Sequence, residues 1–264
     1  MTELSYASVR SVVMTGPGSP LPVMTMVLLI REVQMRDLTN WTGCPAPAPV
    51  TLDGRYVRIV PYDRTAHLDA LWQAFGGLDI NARLQYFAQD DFRGIADFDA
   101  WLTAVQKSGW ITQVFYDKAS GDVVGMANYM RPDPANGVVE VGGVAHSFAM
   151  ARSPLSTEVH YLMARHAFEG LGYRRYEWKC DNRNEASKKT ANRLGFTFEG
   201  VFRQHMLSKR ANRDTAWFSI IDGEWPLLKA AFEAWLSPEN FSGDGTQKRK
   251  LEDIRADLAQ KETA

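Results

Sequence analysis

The sequence is short of cysteine, of long apolar runs and of charge of one sign. Cys44 and Cys180 are the only cysteines in 264 residues. Two distant thiols build neither a disulfide framework nor a cysteine-rich zinc site, and their scarcity suits a reducing compartment. No stretch reaches the roughly 18 consecutive apolar residues of a membrane span. The best run, residues 23–30, contains Thr25 and meets Arg31 and Glu32. A secretory signal is not legible either, because Arg10 is the only early positive charge and no Ala-x-Ala site follows. These features predict a cytoplasmic protein without a membrane partner. Lys and Arg number 30 against 31 Asp and Glu, a net charge of -1. Such a balance offers polyanions no long-range attraction, so nucleic acid is not an expected partner.

Several motifs are missing as well. There is no Gly-x-x-x-x-Gly-Lys-Ser/Thr loop, no Gly-x-Gly-x-x-Gly after a strand and no Gly-x-Ser-x-Gly elbow. His160 and His166 are spaced six apart, not the four that sets two ligands on one helical face, so no metal site is expected. A hydrophobic fraction of 45% is nonetheless ample for a globular core and excludes wholesale disorder.

Punctuation divides the chain into three parts. Gly16, Pro17, Gly18, Pro20 and Pro22, then the alternating prolines of residues 44–49, predict a partly disordered extension over 1–50. Residues 51–236 read as the folded domain and 237–264 as a charged tail. Within the domain, alternation and turn residues predict strands at 56–60, 110–116, 123–130, 138–146, 176–180, 197–203 and 215–221. Helical spacing predicts helices at 67–75, 98–105, 159–168, 184–194 and 225–235, the third preceded by a prospective N-cap within residues 153–158 with acidic Glu158 in the first turn, the fourth closed by Gly195. This order implies a mixed α/β fold: a largely antiparallel twisted sheet, flanking helices and one central strand–helix–strand crossover.

The segment from 138 to 203 carries the chemistry. A strand runs into a polar loop and then a helix start, where unpaired N–H groups and the helix dipole attract phosphate. Arg152, Ser153, Leu155, Ser156 and Thr157 are the candidate donors. An ordinary capped helix satisfies the same residues. The neighbouring motifs shift the reading: Gly170-Leu171-Gly172-Tyr173-Arg174-Arg175, then Asp181-x-x-Asn184-x-x-Ser187, Arg193-Leu194-Gly195-Phe196 and Glu199-Gly200-Val201-Phe202-Arg203. This succession resembles the GNAT superfamily of N-acetyltransferases, in particular the branch like the Rim-type ribosomal-protein acetyltransferases.

The resemblance implies an acetyl-CoA site where the strand near Val141 splays from the strand near Tyr176. The pantetheine arm would pair with bared backbone of the first strand and the pyrophosphate would sit on the loop before the helix. Two departures stand out. Leu155 and Thr157 occupy positions where the family loop carries glycine or alanine, and Pro154 removes one donor. The lid region 79–97 also lacks the family's pattern, with Asp90 and Asp91 favouring a cationic amine.

An attacking amine must be unprotonated, although a lysine amine holds its proton to about pH 10 and an α-amine to about 8. Glu140, at the cleft end of an otherwise apolar strand, is the candidate base, with a surface ion pair as its alternative role. The N–H near Val144 is the candidate oxyanion donor. The resemblance gives Ser187 as proton donor to the leaving thiolate and Asn184 as the residue orienting the coenzyme; both also suit helix capping. His146 is a second possible base, with a structural role as its alternative. Arg203, Lys209, Arg210 and Arg213 form a basic patch at a hairpin, and Cys180 reads as core. The expectation is an acetyl-CoA-dependent N-acetyltransferase acting on a primary amine, leaning to a small molecule over a protein N-terminus. A non-catalytic acyl-CoA-binding or regulatory domain with the same fold is the alternative.

Overall fold

The computed structural model describes residues 36–262. The Gly/Pro-rich stretch at 16–22 and the apolar run at 23–30 lie outside these residues. Eight strands form one sheet: β1 (Leu52–Asp53), β2 (Val57–Pro61), β3 (Ile111–Asp117), β4 (Val123–Asp133), β5 (Val138–His146), β6 (Arg175–Asp181), β7 (Thr197–Ser208) and β8 (Ala211–Ile221). Their spatial order is β1-β2-β3-β4-β5-β6-β8-β7. Every pairing is antiparallel except β5 with β6, which run parallel. A parallel pair needs a crossover, supplied here by helix α4 (Pro154–Arg165) and a following π-turn at His166–Gly170. The mixed sheet with a single central crossover is the architecture the element order predicts.

Alternation along the strands sorts the two faces. Val139, Val141, Tyr176 and Trp178 point to the main core, shared with α4 and α6 (Trp225–Leu236). Val114, Met126 and Ala145 point the other way, into a second core under α1 (Arg64–Ala74) and α3 (Ile95–Lys107). Between these two helices lie the short α2 (Ile80–Arg83) and an irregular stretch reaching Gly94. Helix α1 starts before the predicted 67 because Asp63 caps it, accepting from Ala66 N at 2.9 Å. On the far side of β6, α5 (Glu185–Leu194) is capped by Asn184, whose Oδ1 accepts from Ser187 N at 3.0 Å.

Two findings differ from the sequence reading. Residues 251–262, within the stretch expected as a charged tail, form α7 (Leu251–Glu262), and Leu251 and Ile254 are buried in the main core. The charges lie on the outer side of an amphipathic helix, so composition concealed an apolar face. Glu158, expected in the first turn of its helix, lies beyond the first turn of α4 and is buried. Its carboxylate accepts from the backbone N–H groups of Arg55, Tyr56 and Val57 at 2.7, 2.6 and 2.7 Å. Gly54 makes this approach possible, since a Cβ there would lie 2.5 Å from the Glu158 carboxyl carbon. Helix α4 is thereby tied to the start of β2.

Glu158→Ala strands those N–H groups and is expected to destabilise the fold by about 3 kcal/mol or more. Glu158→Gln, which keeps one acceptor oxygen, is expected to cost less. The urea midpoints of the three proteins check the ranking; a Glu158→Ala midpoint equal to wild type contradicts it.

Candidate active site

The site begins where β5 and β6 cease to pair. Their register runs Val138↔Arg175, Val139↔Tyr176 and Glu140↔Glu177, and ends there. Beyond that rung β5 stays with β4 while β6 stays with β8, and a fork opens between them. A bulge in β5 accompanies the divergence: Gly142 opposes Asn128 and Ala145 opposes Met126, so β5 carries one extra residue. Gly143 takes the left-handed conformation at φ 57°, and a Cβ on it would lie 2.4 Å from Asn128 Nδ2. The Gly-Gly pair breaks the Val-x-Val alternation because only glycine meets both demands. Asn128, fully buried, props the bulge: it accepts from Thr112 Oγ1 at 2.7 Å and donates to Gly142 O at 3.2 Å. Val144, the expected oxyanion donor, follows the bulge and has no register partner on β4 or β6. A strand edge without partners is a template for another extended chain.

At the far end of the fork, the chain passes Arg152 in a left-handed conformation (φ 55°) and enters α4. Ser153 occupies the cap position without capping: its hydroxyl donates to Met150 O at 3.0 Å. Pro154 fits the first helical position, where an N–H has no helical partner. The amides of Leu155 and Ser156 therefore receive no side-chain cap, and Arg152 just before them is exposed. Two expected donors are restricted by packing. The Leu155 side chain is buried, which leaves its amide alone, and Thr157 is buried with its hydroxyl accepting from Arg193 at 3.0 Å.

Ser187 lies on the β6 side. Trp178 Nε1 donates to its Oγ at 2.9 Å, which leaves the hydroxyl as a donor, and the Cys180 thiol is its hydrogen-bonding neighbour. Cys180 lies on the same buried face, and burial pushes its thiol up, which keeps it protonated. His146 and His160 stand on the α4 side with ring centres 5.6 Å apart. Enclosure lowers His146 to about 4 and moves His160 well below the ordinary imidazole range.

The opposite face carries Glu140, buried at 2% exposure. It is part of an ion pair, as one reading of the sequence allowed, but a buried one on a central strand. Arg131 Nε and Nη2 donate to its two oxygens at 2.9 and 2.8 Å, and Lys179 Nζ lies 3.0 Å away. The array continues through Glu177, Arg175 and Glu199 with contacts of 2.6–2.7 Å, so six charges of alternating sign are carried by β4, β5, β6 and β7. Lys179 also sits 3.7 Å from the centre of the Trp217 ring. Lys179, Glu177 and Trp217 escaped the sequence reading, although the polar positions of β6 alternate in charge. Asn128 escaped because one polar residue in an apolar strand carries no signal for the bulge it supports.

The mouth on this face is bridged. Ser208 Oγ donates to Phe87 O at 3.2 Å, Arg213 Nη1 to Tyr86 O at 3.3 Å, and Lys209 pairs with Asp91 at 2.5 Å. The β7–β8 hairpin is thus fastened to the segment after α2. Arg213 is drawn inward by these contacts, and burial lowers it from the usual arginine range. Among the described residues no three His, Cys, Asp or Glu side chains gather as a metal site requires, and no helix is long and apolar enough to cross a membrane.

Comparison with known proteins agrees with this geometry. The family model described as Acetyltransferase (GNAT) domain matches residues 57–197. A GCN5-related N-acetyltransferase from Brucella melitensis is 45% identical with a TM-score of 0.79, over 82% of this chain and 99% of its own. A GNAT-family structure from Chromobacterium violaceum is 37% identical with a TM-score of 0.67, over 73% of this chain and 96% of its own. The Salmonella typhimurium acetyl transferase that modifies the N-terminal serine of ribosomal protein L7/L12 is 18% identical with a TM-score of 0.54, over 64% and 96%, and shares the fold alone. A search of curated proteins returns no match. Fold and relatives define the protein as an N-acetyltransferase. The chain belongs to the GNAT family, whose members use acetyl-CoA.

Gly143→Ala is expected to destabilise the protein by more than about 1 kcal/mol, since alanine resists the left-handed region and its methyl meets Asn128. Urea unfolding reads this directly, and a variant as stable as wild type would refute the bulge geometry.

Proposed function

We propose that the protein transfers the acetyl group of acetyl-CoA to the amine of a small molecule. The observation that carries this reading is the fork: bared β5 backbone at the bulge, with uncapped amides at its far end. The residues fit the coenzyme. Arg152 and the amides of Leu155 and Ser156 hold the pyrophosphate, and the β5 edge around Val144 receives the pantetheine amides. When bound, acetyl-CoA supplies an activated thioester carbonyl. Thr157 and the Ser153 hydroxyl take no part, being engaged within the protein.

Glu140 takes the proton of the attacking amine, directly or through water. It stands on the last paired rung beside the opening of the fork, and its Arg131 partner, 55% exposed at the side chain, is placed to swing aside. As the nitrogen–carbon bond forms and the carbon–sulfur bond breaks, the N–H near Val144 steadies the carbonyl oxygen. Ser187 then donates to the departing sulfur while Trp178 holds its Oγ. Asn184 fixes the helix start that carries Ser187.

The bridged mouth supports a small acceptor. With Ser208, Lys209 and Arg213 fastened to residues 86–91, the approach to Glu140 is roofed, and an extended peptide would have to part these contacts. Asp91 is neutralised by Lys209 and contributes less to attracting a cationic amine than its sequence position implies.

Two measurements check the reading. A panel of small amines and N-terminal peptides, followed by release of CoA thiol, is expected to show faster turnover with small amines; preference for peptides overturns the acceptor class. Glu140→Gln is expected to lower kcat by about 100-fold or more. Ser187→Ala is expected to lower it by about 10- to 100-fold with coenzyme affinity kept. Unchanged kcat in either variant removes that residue from the mechanism.

A further inference from the structure

His160 has no hydrogen-bond partner for either ring nitrogen among the described residues. It lies in α4, on the side turned toward the sheet, and is 2% exposed. A neutral imidazole always carries one N–H donor and one bare acceptor. Burying both unused is costly, and polar groups in that condition are rare enough in folded proteins to demand a reason.

Its surroundings give the reason. The His160 ring lies 5.6 Å from that of His146 on β5 and 5.2 Å from that of Trp178 on β6. These strands last pair at Glu140↔Glu177, so the imidazole spans the space between them after they have parted. Trp178 continues the row by donating to Ser187. The row His146, His160, Trp178, Ser187 thus floors the fork from one arm to the other. Its aromatic members offer His160 packing but no hydrogen bond, and His146 Nε2 is likewise unpartnered.

We infer that His160 is a positioning residue that exchanges a hydrogen bond with an amide of the pantetheine arm as it lies in the fork. The inference rests on the acetyl-CoA reading above and adds a residue from the crossover helix to it. An amide suits the site better than a phosphate. Burial, with Arg193 and His146 nearby, keeps the imidazole uncharged, and an uncharged ring gives an anion no Coulombic attraction. A secondary amide presents a carbonyl and an N–H, the complement of a neutral imidazole. The amides of Leu155 and Ser156 sit five and four residues earlier in the first turn of α4, about 6 to 7.5 Å away along the helix axis, so the two ends of the coenzyme would meet different parts of one helix.

The test compares two ligands. Wild type and His160→Phe, which retains an aromatic ring of similar size, are titrated calorimetrically with CoA and with adenosine 3′,5′-bisphosphate, which lacks the pantetheine arm. The expected result is a loss of about 10-fold in CoA affinity with bisphosphate affinity unchanged. No loss for CoA, or an equal loss for both compounds, overturns the inference. Because the substitution lies in the core, a second measurement uses the unaltered protein. With 15N-labelled histidine, the His160 ring nitrogens are expected to shift when CoA is added and to stay in place with the bisphosphate. Ring signals indifferent to bound CoA overturn the inference and leave the acetyl-CoA reading standing. Wild-type protein that binds neither compound overturns that reading and the inference with it.

Discussion

The structure depends on a single interruption of backbone pairing. A parallel pair in the middle of a sheet ordinarily continues until one strand ends, because every unpaired N–H and C=O away from water is costly. Here β5 and β6 share only three rungs before separating. The interruption is enforced from one side. The extra residue at Gly142–Gly143 bends β5 toward β4, and Asn128 holds that bend from within the core. The other arm is kept straight by β8, which pairs with β6 along its whole length. The fork is therefore built into two well-paired half-sheets.

The two faces of the fork differ in physical character. Toward α4 it is aromatic and uncharged, with imidazoles, an indole and a serine hydroxyl. Toward the lid it is ionic, with six charges whose signs alternate and cancel. Burying Glu140 and Glu177 within this array is tolerable only because each has an opposite charge within hydrogen-bonding distance. An acyl donor lying between these faces would have a dry aromatic floor on one side. On the other it would meet a polar array able to rearrange when a charged acceptor arrives.

Much of this was legible in the sequence because it rests on local rules. Alternation exposed β6, and the Asn184 and Gly195 signals bounded α5 to within a residue. The start of α4 was read five residues late, at 159 rather than Pro154, because residues 154–158 do not show the apolar spacing of a helix. What stayed hidden depends on long-range packing. Strand β7 runs five residues beyond its expected end because bulges at Gly200 and between Phe202 and Met206 reset its alternation, and a shifted period reads as no period. Helix α7 was obscured by its charged side. His160 was one apolar-helix residue among many, and its lack of a partner is a property of three-dimensional surroundings alone.

The anchoring of Glu158 has a mechanical side. One carboxylate clamps the crossover helix to the chain just ahead of β2, at the opposite edge of the sheet from β7. The same helix carries the uncapped amides at its first turn, one turn before the clamp. The pitch of that turn is thus set by a segment more than a hundred residues upstream, and lengthening or trimming the Asp53–Tyr56 bend would tilt the anion cradle without touching any residue in it.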